Sequence, residues 1–360
     1  MNTYGKFSIP ALTPVFYNLI LVCTAIWIAP LYEVPIYAIA WGMFVAGCIQ
    51  LLIQIYPLIK LKLLPNFSLN LNHPGVKKVL YLMIPGIIAG GVSQLNMLVD
   101  TILASFLPTG SPTWLYVSDR LMQLPLGIFA IAIGTVLLPR LSSLHQTEDK
   151  EGFSRTMDWS IRLVLLIGVP SVIGLVLLSE PIILTLFERG EFIATDTRQA
   201  SFSLIALALG LIAFMLIKVL IPGFFARQNP KTPLKVAAAS MVVNAVLAWL
   251  LAFYLGFNHV GLAIASSIAA YFSITILLFI LLKNKIYQVQ KGWIIFLGRI
   301  LVACLVMTVI VNRMNVEMFA WRELDQVVRF MQLLLITFSG IATYLAVLWI
   351  SGLRLRDLKG

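Results

Sequence analysis

The sequence predicts an all-α, polytopic membrane protein of about ten transmembrane helices, and three observations carry that prediction. The 360 residues are 60% hydrophobic and only 11% charged, with a mean hydropathy of +0.95; about a quarter of the residues of a soluble protein are charged. The apolar residues come in blocks of about 20 or more, the length that crosses a hydrocarbon core about 30 Å thick. Lys and Arg, finally, fall on alternate loops. A soluble enzyme is excluded. The net charge of +11 does not point to nucleic acid, because the basic residues are dispersed between apolar blocks and form no stripe with interleaved aromatics.

Windows of about 19 residues place spans near residues 8–29, 36–58, 79–107, 114–137, 157–179, 200–225, 233–256, 260–282, 293–312 and 328–351. The first is not a signal peptide: it lacks a basic leader, is too long, and holds Asn18 and two prolines. The polar run from Asn66 to Pro74 separates the second span from the third, and Pro108-Thr109-Gly110-Ser111-Pro112 the third from the fourth. Leu186-Phe-Glu-Arg-Gly-Glu-Phe reads as an outer-side turn between the fifth and sixth, and Arg227-Gln228-Asn229-Pro230 parts the sixth from the seventh. Cys23, Cys48 and Cys304 each sit inside an apolar block, with neither disulfide nor zinc spacing, and are expected to be packing residues. His73, His145 and His259 lie at or beside loops, where a solvated side chain is expected.

Orientation follows from the basic residues. One set of loops and termini holds about 17 of them, from Lys6 through Lys60, Lys62, Lys77 and Lys78, then Arg140, Lys150 and Arg155, to Arg354, Arg356 and Lys359. The opposite loops hold about five, Arg189, Arg198, Arg313, Arg322 and Arg329, beside eight acids including Glu180, Glu188 and Asp196. By the positive-inside rule both termini are expected in the cytoplasm. The first two spans also resemble the seventh and eighth: Asn18-Leu-Ile-Leu-Val matches Asn244-Ala-Val-Leu-Ala, and Val34-Pro-Ile-Tyr-Ala matches Val260-Gly-Leu-Ala-Ile, at an offset of about 225 residues. Two related bundles would explain this, the first short of four helices; chance similarity between two apolar hairpins is the alternative.

Six charges lie more than about a turn inside spans, where each costs about 2.5–3.5 kcal/mol on insertion. Arg162, Lys218 and Arg299 lie near cytoplasmic ends and can snorkel on long stems. Asp100 cannot, and it continues a small or polar stripe of Gly86, Gly90, Ser93 and Asn96 that should face a cavity or another helix. The sharpest feature is Trp114-Leu-Tyr-Val-Ser-Asp-Arg-Leu-Met-Gln-Leu-Pro-Leu-Gly-Ile. Asp119 and Arg120 point about 100° apart on a helix and need not neutralise each other, whereas Gln123 lies one turn from Asp119 on the same face. Pro125 removes a backbone donor and Gly127 follows, so a hinge is expected there. The guanidinium of Arg120 suits a phosphate. The expected cavity residues are thus Arg120, Asp119, Gln123, Asp100, Asn96 and Ser93. There is no P-loop, HExxH or Gly-x-Ser-x-Gly, so catalysis, a metal and a cofactor are not expected, and transport would draw on a gradient.

The blocks Phe7-Ser-Ile-Pro-Ala-Leu-Thr-Pro, Gln94-Leu-Asn-Met-Leu-Val-Asp-Thr, Trp114 to Phe129, Gly134-Thr-Val-Leu-Leu-Pro-Arg-Leu-Ser, Met157-Asp-Trp and Pro222-Gly-Phe-Phe-Ala-Arg-Gln-Asn-Pro-Lys-Thr-Pro resemble the MurJ/MviN lipid II flippase family. The similarity runs over essentially the whole chain. It implies the MATE-like exporter fold of the multidrug/oligosaccharidyl-lipid/polysaccharide superfamily, with an incomplete first lobe: residues 1–77 its last two helices, 78–285 the six-helix second lobe, and 286–360 two further helices forming a groove for a lipid tail. It implies flipping of undecaprenyl-pyrophosphate-linked peptidoglycan precursor by alternating access in the bacterial cytoplasmic membrane, with membrane lipids and the cell-wall synthesis machinery as partners. Asp119 and Arg120 match the family's acidic-basic cavity pair, and Gln123 stands where many members have Glu. Some members bind sodium between carboxylate and amide groups; Asp100 and Asn244 match in type, but no second carboxylate accompanies Asn244 and no metal is assigned. A drug or polysaccharide-lipid exporter of the same fold, and a non-transporting remnant, are the alternatives.

Overall fold

The computed structural model describes residues 8–60, 77 and 97–352. The chain divides into two compact units, Met1–Leu82 and Met83–Gly360. In the first, helix α1 (Ser8–Cys23) runs on into a π-helical segment, Thr24–Ile28, then a 3-10 turn with Pro30, and returns as α2 (Pro35–Lys60). Ala38, Gly42 and Ala46 recur every four residues on α2, and the two alanines are buried. Such a small-residue stripe lets helices approach closely; a Cβ at Gly42 would lie 2.7 Å from the Thr24 side chain. Gln50 donates to the Thr13 carbonyl at 3.0 Å across the hairpin.

The second unit is helical throughout its described residues: α3 (97–105), α4 (Ser111–Gln146), α5 (Lys150–Leu177), α6 (Ser179–Phe187), α7 (Ala194–Phe225), α8 (Lys231–Trp249), α9 (Asn258–Lys283), α10 (Trp293–Met314), α11 (Met318–Glu323) and α12 (Gln326–Ile350). Among the described residues of both units, eight helices are long and apolar enough to cross a membrane, and they correspond to expected spans one, two and five to ten. Helix α4 covers the fourth, while most of the third lies outside the described residues. Helix α5 begins at Lys150 rather than 157, and α7 at Ala194 rather than 200. Hydropathy windows miss such polar first turns; here Asp149 accepts from the Gly152 amide at 2.8 Å and Asp196 from the Ile193 amide at 2.9 Å, capping both starts. The short helices α6 and α11 escape the same windows. Helix α6 ends at Phe187 and the expected outer turn follows it, with Gly190 at φ +58°.

Helix α7 is the centre of this unit, packed against α4, α5, α6 and α9. Its small residues permit this. A Cβ at Gly210 would collide with Ser267 Oγ and lie 2.9 Å from the Ser267 Cα, and Ser267 donates to the Ala206 carbonyl at 2.7 Å. Leu204, Leu211, Met215 and Val219 fill the core with Leu141 and Met157. A second core joins α5 and α6 to α10–α12 around the fully buried Trp321, and Tyr344 of α12 donates to the Leu166 carbonyl of α5 at 2.7 Å. Many large apolar side chains on α10 and α12 are exposed, Ile294 and Trp349 among them, as helices facing lipid require.

Helix α8 also runs into a π-helical segment, Leu250–Tyr254, whose ends lie 226 residues after those of Thr24–Ile28. This is the offset of Asn244 from Asn18 and of Val260 from Val34. Two expectations are corrected. His259 is buried, at 4% exposure, because its ring lies under Trp114 with centroids 4.6 Å apart and its Nε2 meets the Gln199 carbonyl at 3.1 Å. Of the three cysteines only Cys304 is buried; Cys23 is half-buried and Cys48 exposed, an apolar block being no guarantee of a protein neighbour where lipid can serve.

Candidate functional site

A cavity of about 950 Å³ opens within the second unit, lined by α3, α4, α7 and α9. Helix α4 contributes Pro112 and Thr113 from its first turn, then Leu115, Tyr116, Asp119, Met122, Gln123, Leu126 and Gly127, recurring at the three- and four-residue spacing that marks one face of a helix. Two ties hold that face in place. Trp114 Nε1 donates to Asp196 Oδ1 at 2.8 Å, and Ser118 donates to the Ala200 carbonyl at 2.7 Å, both on α7.

Asp119 and Gln123 line the cavity together, and the Gln123 amide donates to Asp119 Oδ2. Asp100 lines it from α3 and accepts from Asn244 Nδ2 at 2.9 Å; Asn244 is buried on α8 and accepts from Ser266 of α9 at 3.3 Å. This relay ties three helices at the cavity wall, and the amide turns its donor, not its oxygen, to the carboxylate. Among the described residues no group of three or more His, Cys, Asp or Glu side chains could hold a metal ion.

Arg120 is exposed and is not among the lining residues; its guanidinium lies over the ring of Tyr116, 5.0 Å from the centroid. Asp119 and Arg120 form no ion pair, as their divergence on the helix requires. Ser93 and Asn96, with Gly86 and Gly90, lie outside the described residues. The helix runs unbroken through Pro125 and Gly127, and a Cβ at Gly127 would meet nothing within 4 Å. Lys218, expected from sequence to snorkel, lines the cavity from α7 beside Phe214. Its four-residue spacing from Phe214 and seven-residue spacing from Leu211 put it on a bundle-facing stripe, a signal that its long stem masks.

The chain is similar to proteins of known kind. A probable lipid II flippase MurJ of Vibrio cholerae is 42% identical over 359 residues, covering 100% of this chain and 68% of the relative. The corresponding protein of Haemophilus influenzae is 39% identical, covering 99% and 71%. A solved structure of lipid II flippase MurJ in an inward closed conformation superposes with a TM-score of 0.78 at 27% identity, over 99% of this chain and 69% of that one. An outward-facing multidrug MATE transporter, at 17% identity and a TM-score of 0.51 over 75% of this chain and 63% of that one, shares the fold. With the family model for lipid II flippase MurJ matching residues 1–347, the chain belongs to the MurJ lipid II flippase family.

Proposed function

We propose that this multi-pass inner-membrane protein moves lipid II, an undecaprenyl-pyrophosphate-linked peptidoglycan precursor, from the cytoplasmic to the outer leaflet by alternating access. One observation carries the reading: in a chain 42% identical to a probable lipid II flippase, a cavity of about 950 Å³ sets Asp100, Asp119, Gln123 and Lys218 against an apolar wall. A pyrophosphate headgroup cannot cross hydrocarbon unaided, and charges are retained inside spans only where water, a partner or a ligand offsets the cost of their insertion. Lys218 and Arg120 supply the positive charge, Arg120 leaving the Tyr116 ring for the pyrophosphate oxygens, which its planar fork matches. Asp119 and Gln123 accept and donate to the sugar and peptide groups, and Pro125 with Gly127 lets α4 bend as access alternates.

In this reading residues 1–77 end the first lobe, 78–285 form the second, and 286–360 hold the lipid tail. Both termini face the cytoplasm, and delivery to the outer leaflet brings the protein next to the cell-wall synthesis machinery. The test is a flipping assay in proteoliposomes with fluorescent lipid II and a membrane-impermeant quencher. Faster quenching than in empty liposomes is expected; equal rates with folded, inserted protein refute the proposal, and movement of drugs but not lipid II would assign an exporter instead.

A further inference from the structure

A second cavity, about 490 Å³, lies where the end of α4, the first turns of α5 and the α9–α10 linker meet, and it shares no lining residue with the first. Arg140, Arg155 and Arg162 line it, with Asp149, Asp158 and Gln290 among their neighbours. Both acids are already engaged. Asp158, 3% exposed, accepts from Arg162 Nε at 2.7 Å, Tyr287 Oη at 2.7 Å, Trp293 Nε1 at 2.8 Å and the Gln290 amide at 3.2 Å. Asp149 caps α5.

The arginines keep most of their donors. Arg140 makes no hydrogen bond or ion pair among the described residues. Among the described residues Arg155 pairs only with Glu151, at 3.7 Å with side chains 61% and 80% exposed, a contact that contributes little. Arg162 donates from Nε to Asp158 and from Nη2 to the Lys291 carbonyl, the latter at 2.9 Å. Its Nη1 makes no hydrogen bond among the described residues. Three guanidinium groups around one small cavity, with Asp158 shared between Arg162 and the donors of Tyr287, Gln290 and Trp293 and with Asp149 capping α5, form a site for an oxyanion. The surroundings set its depth. Trp159 lines the cavity, half-buried Trp293 sits under Arg162 with 5.0 Å from guanidinium to ring, and Ile294 and Ile295 beside it are 89% and 64% exposed. Tryptophan beside unshielded aliphatic side chains marks the headgroup level of a bilayer.

We propose that this cavity binds a phosphate oxyanion, presented by the headgroup of an anionic membrane lipid. Basic pockets between helices on the cytoplasmic side serve this chemistry. The site is independent of the transport reading, and its test is a binding measurement. Native mass spectrometry of the full 360-residue chain, released from nanodiscs of phosphatidylglycerol or of phosphatidylcholine, should retain phosphatidylglycerol preferentially. Retention should fall roughly tenfold or more in the Arg140→Gln/Arg155→Gln double variant, and the charge-keeping Lys/Lys variant should retain part of it. Both arginines are exposed, so the variants should keep the wild-type melting temperature in phosphatidylcholine. Equal retention by wild type and double variant, or no preference over phosphatidylcholine, overturns the proposal. Displacement of phosphatidylglycerol by millimolar inorganic phosphate would assign the site to free phosphate and overturn the lipid assignment.

Discussion

Tyr287 donates its phenolic proton to Asp158 across 2.7 Å, although 129 residues separate the two in the chain. Through that bond, and those of Gln290 and Trp293 to the same carboxylate, the α9–α10 linker and the start of α10 are fastened to α5. Removing the carboxylate leaves Arg162 without its partner and three donors orphaned. Asp158→Ala should cost about 3–5 kcal/mol, the usual effect of breaking a buried pair, and Asp158→Asn less. Thermal unfolding in detergent reads this; an unchanged midpoint for the alanine variant would contradict it.

Tyr287 also sets a pH dependence. Burial, and then the facing Asp158 carboxylate, push its phenol above the ordinary tyrosine value. The folded chain therefore holds a proton that the unfolded chain releases near pH 10. Its contribution is complete below about pH 10 and is lost as pH rises from there toward the folded value. Tyr287→Phe should lower stability at pH 8 and reduce the further loss above pH 10. A variant with the wild-type alkaline slope would disprove this.

Gly210 tests the packing of α7 on α9. A methyl group there would meet the Ser267 backbone at 2.9 Å, so Gly210→Ala must push the helices apart, at about 1–3 kcal/mol. Gly127→Ala, with open space around it, should be close to neutral for stability, so the pair serves as its own control in a melting experiment.

Cavity charge is tested by activity. Arg120→Ala should abolish lipid II flipping and Arg120→Lys retain part of it. Lys218→Met should reduce the rate by about tenfold or more, the loss of one charge-assisted contact. Each variant should insert normally, as judged by membrane yield. Wild-type flipping by Arg120→Ala would remove Arg120 from the mechanism.

Topology is tested by labelling. A cysteine at Lys150, in a chain with Cys23, Cys48 and Cys304 replaced by alanine, should resist an impermeant maleimide in intact cells and react after lysis. Labelling from outside would invert the proposed orientation.

The helical ladder is legible in the sequence because a bilayer demands long apolar runs, and the Asp119–Gln123 bond because four-residue spacing fixes a shared face. Spacing also gives the divergence of Asp119 from Arg120, but not which of them lines the cavity, since that depends on how α4 is turned against α7. The long stem of Lys218 suggests snorkelling and hides its place on the cavity wall. Four-residue spacing also offers Arg162 as a partner for Asp158, but Tyr287, Gln290 and Trp293 come from another part of the chain, and no local pattern announces them. A position beside a loop suggests a solvated His259, yet it stands in the first turn of α9 with its ring packed against Trp114.

The paired π-helical segments, Thr24–Ile28 and Leu250–Tyr254, bear on the chain's ancestry. Well under 1% of residues in globular proteins adopt this winding, and a π turn is what one extra residue in a helix leaves behind. Two of them in the same register, in two hairpins that also share sequence at that register, argue for a single insertion already present when the ancestral hairpin was duplicated. On that account, each residue of the first hairpin has a cousin 226 positions on, and a substitution studied in one half is an informed guess about the other.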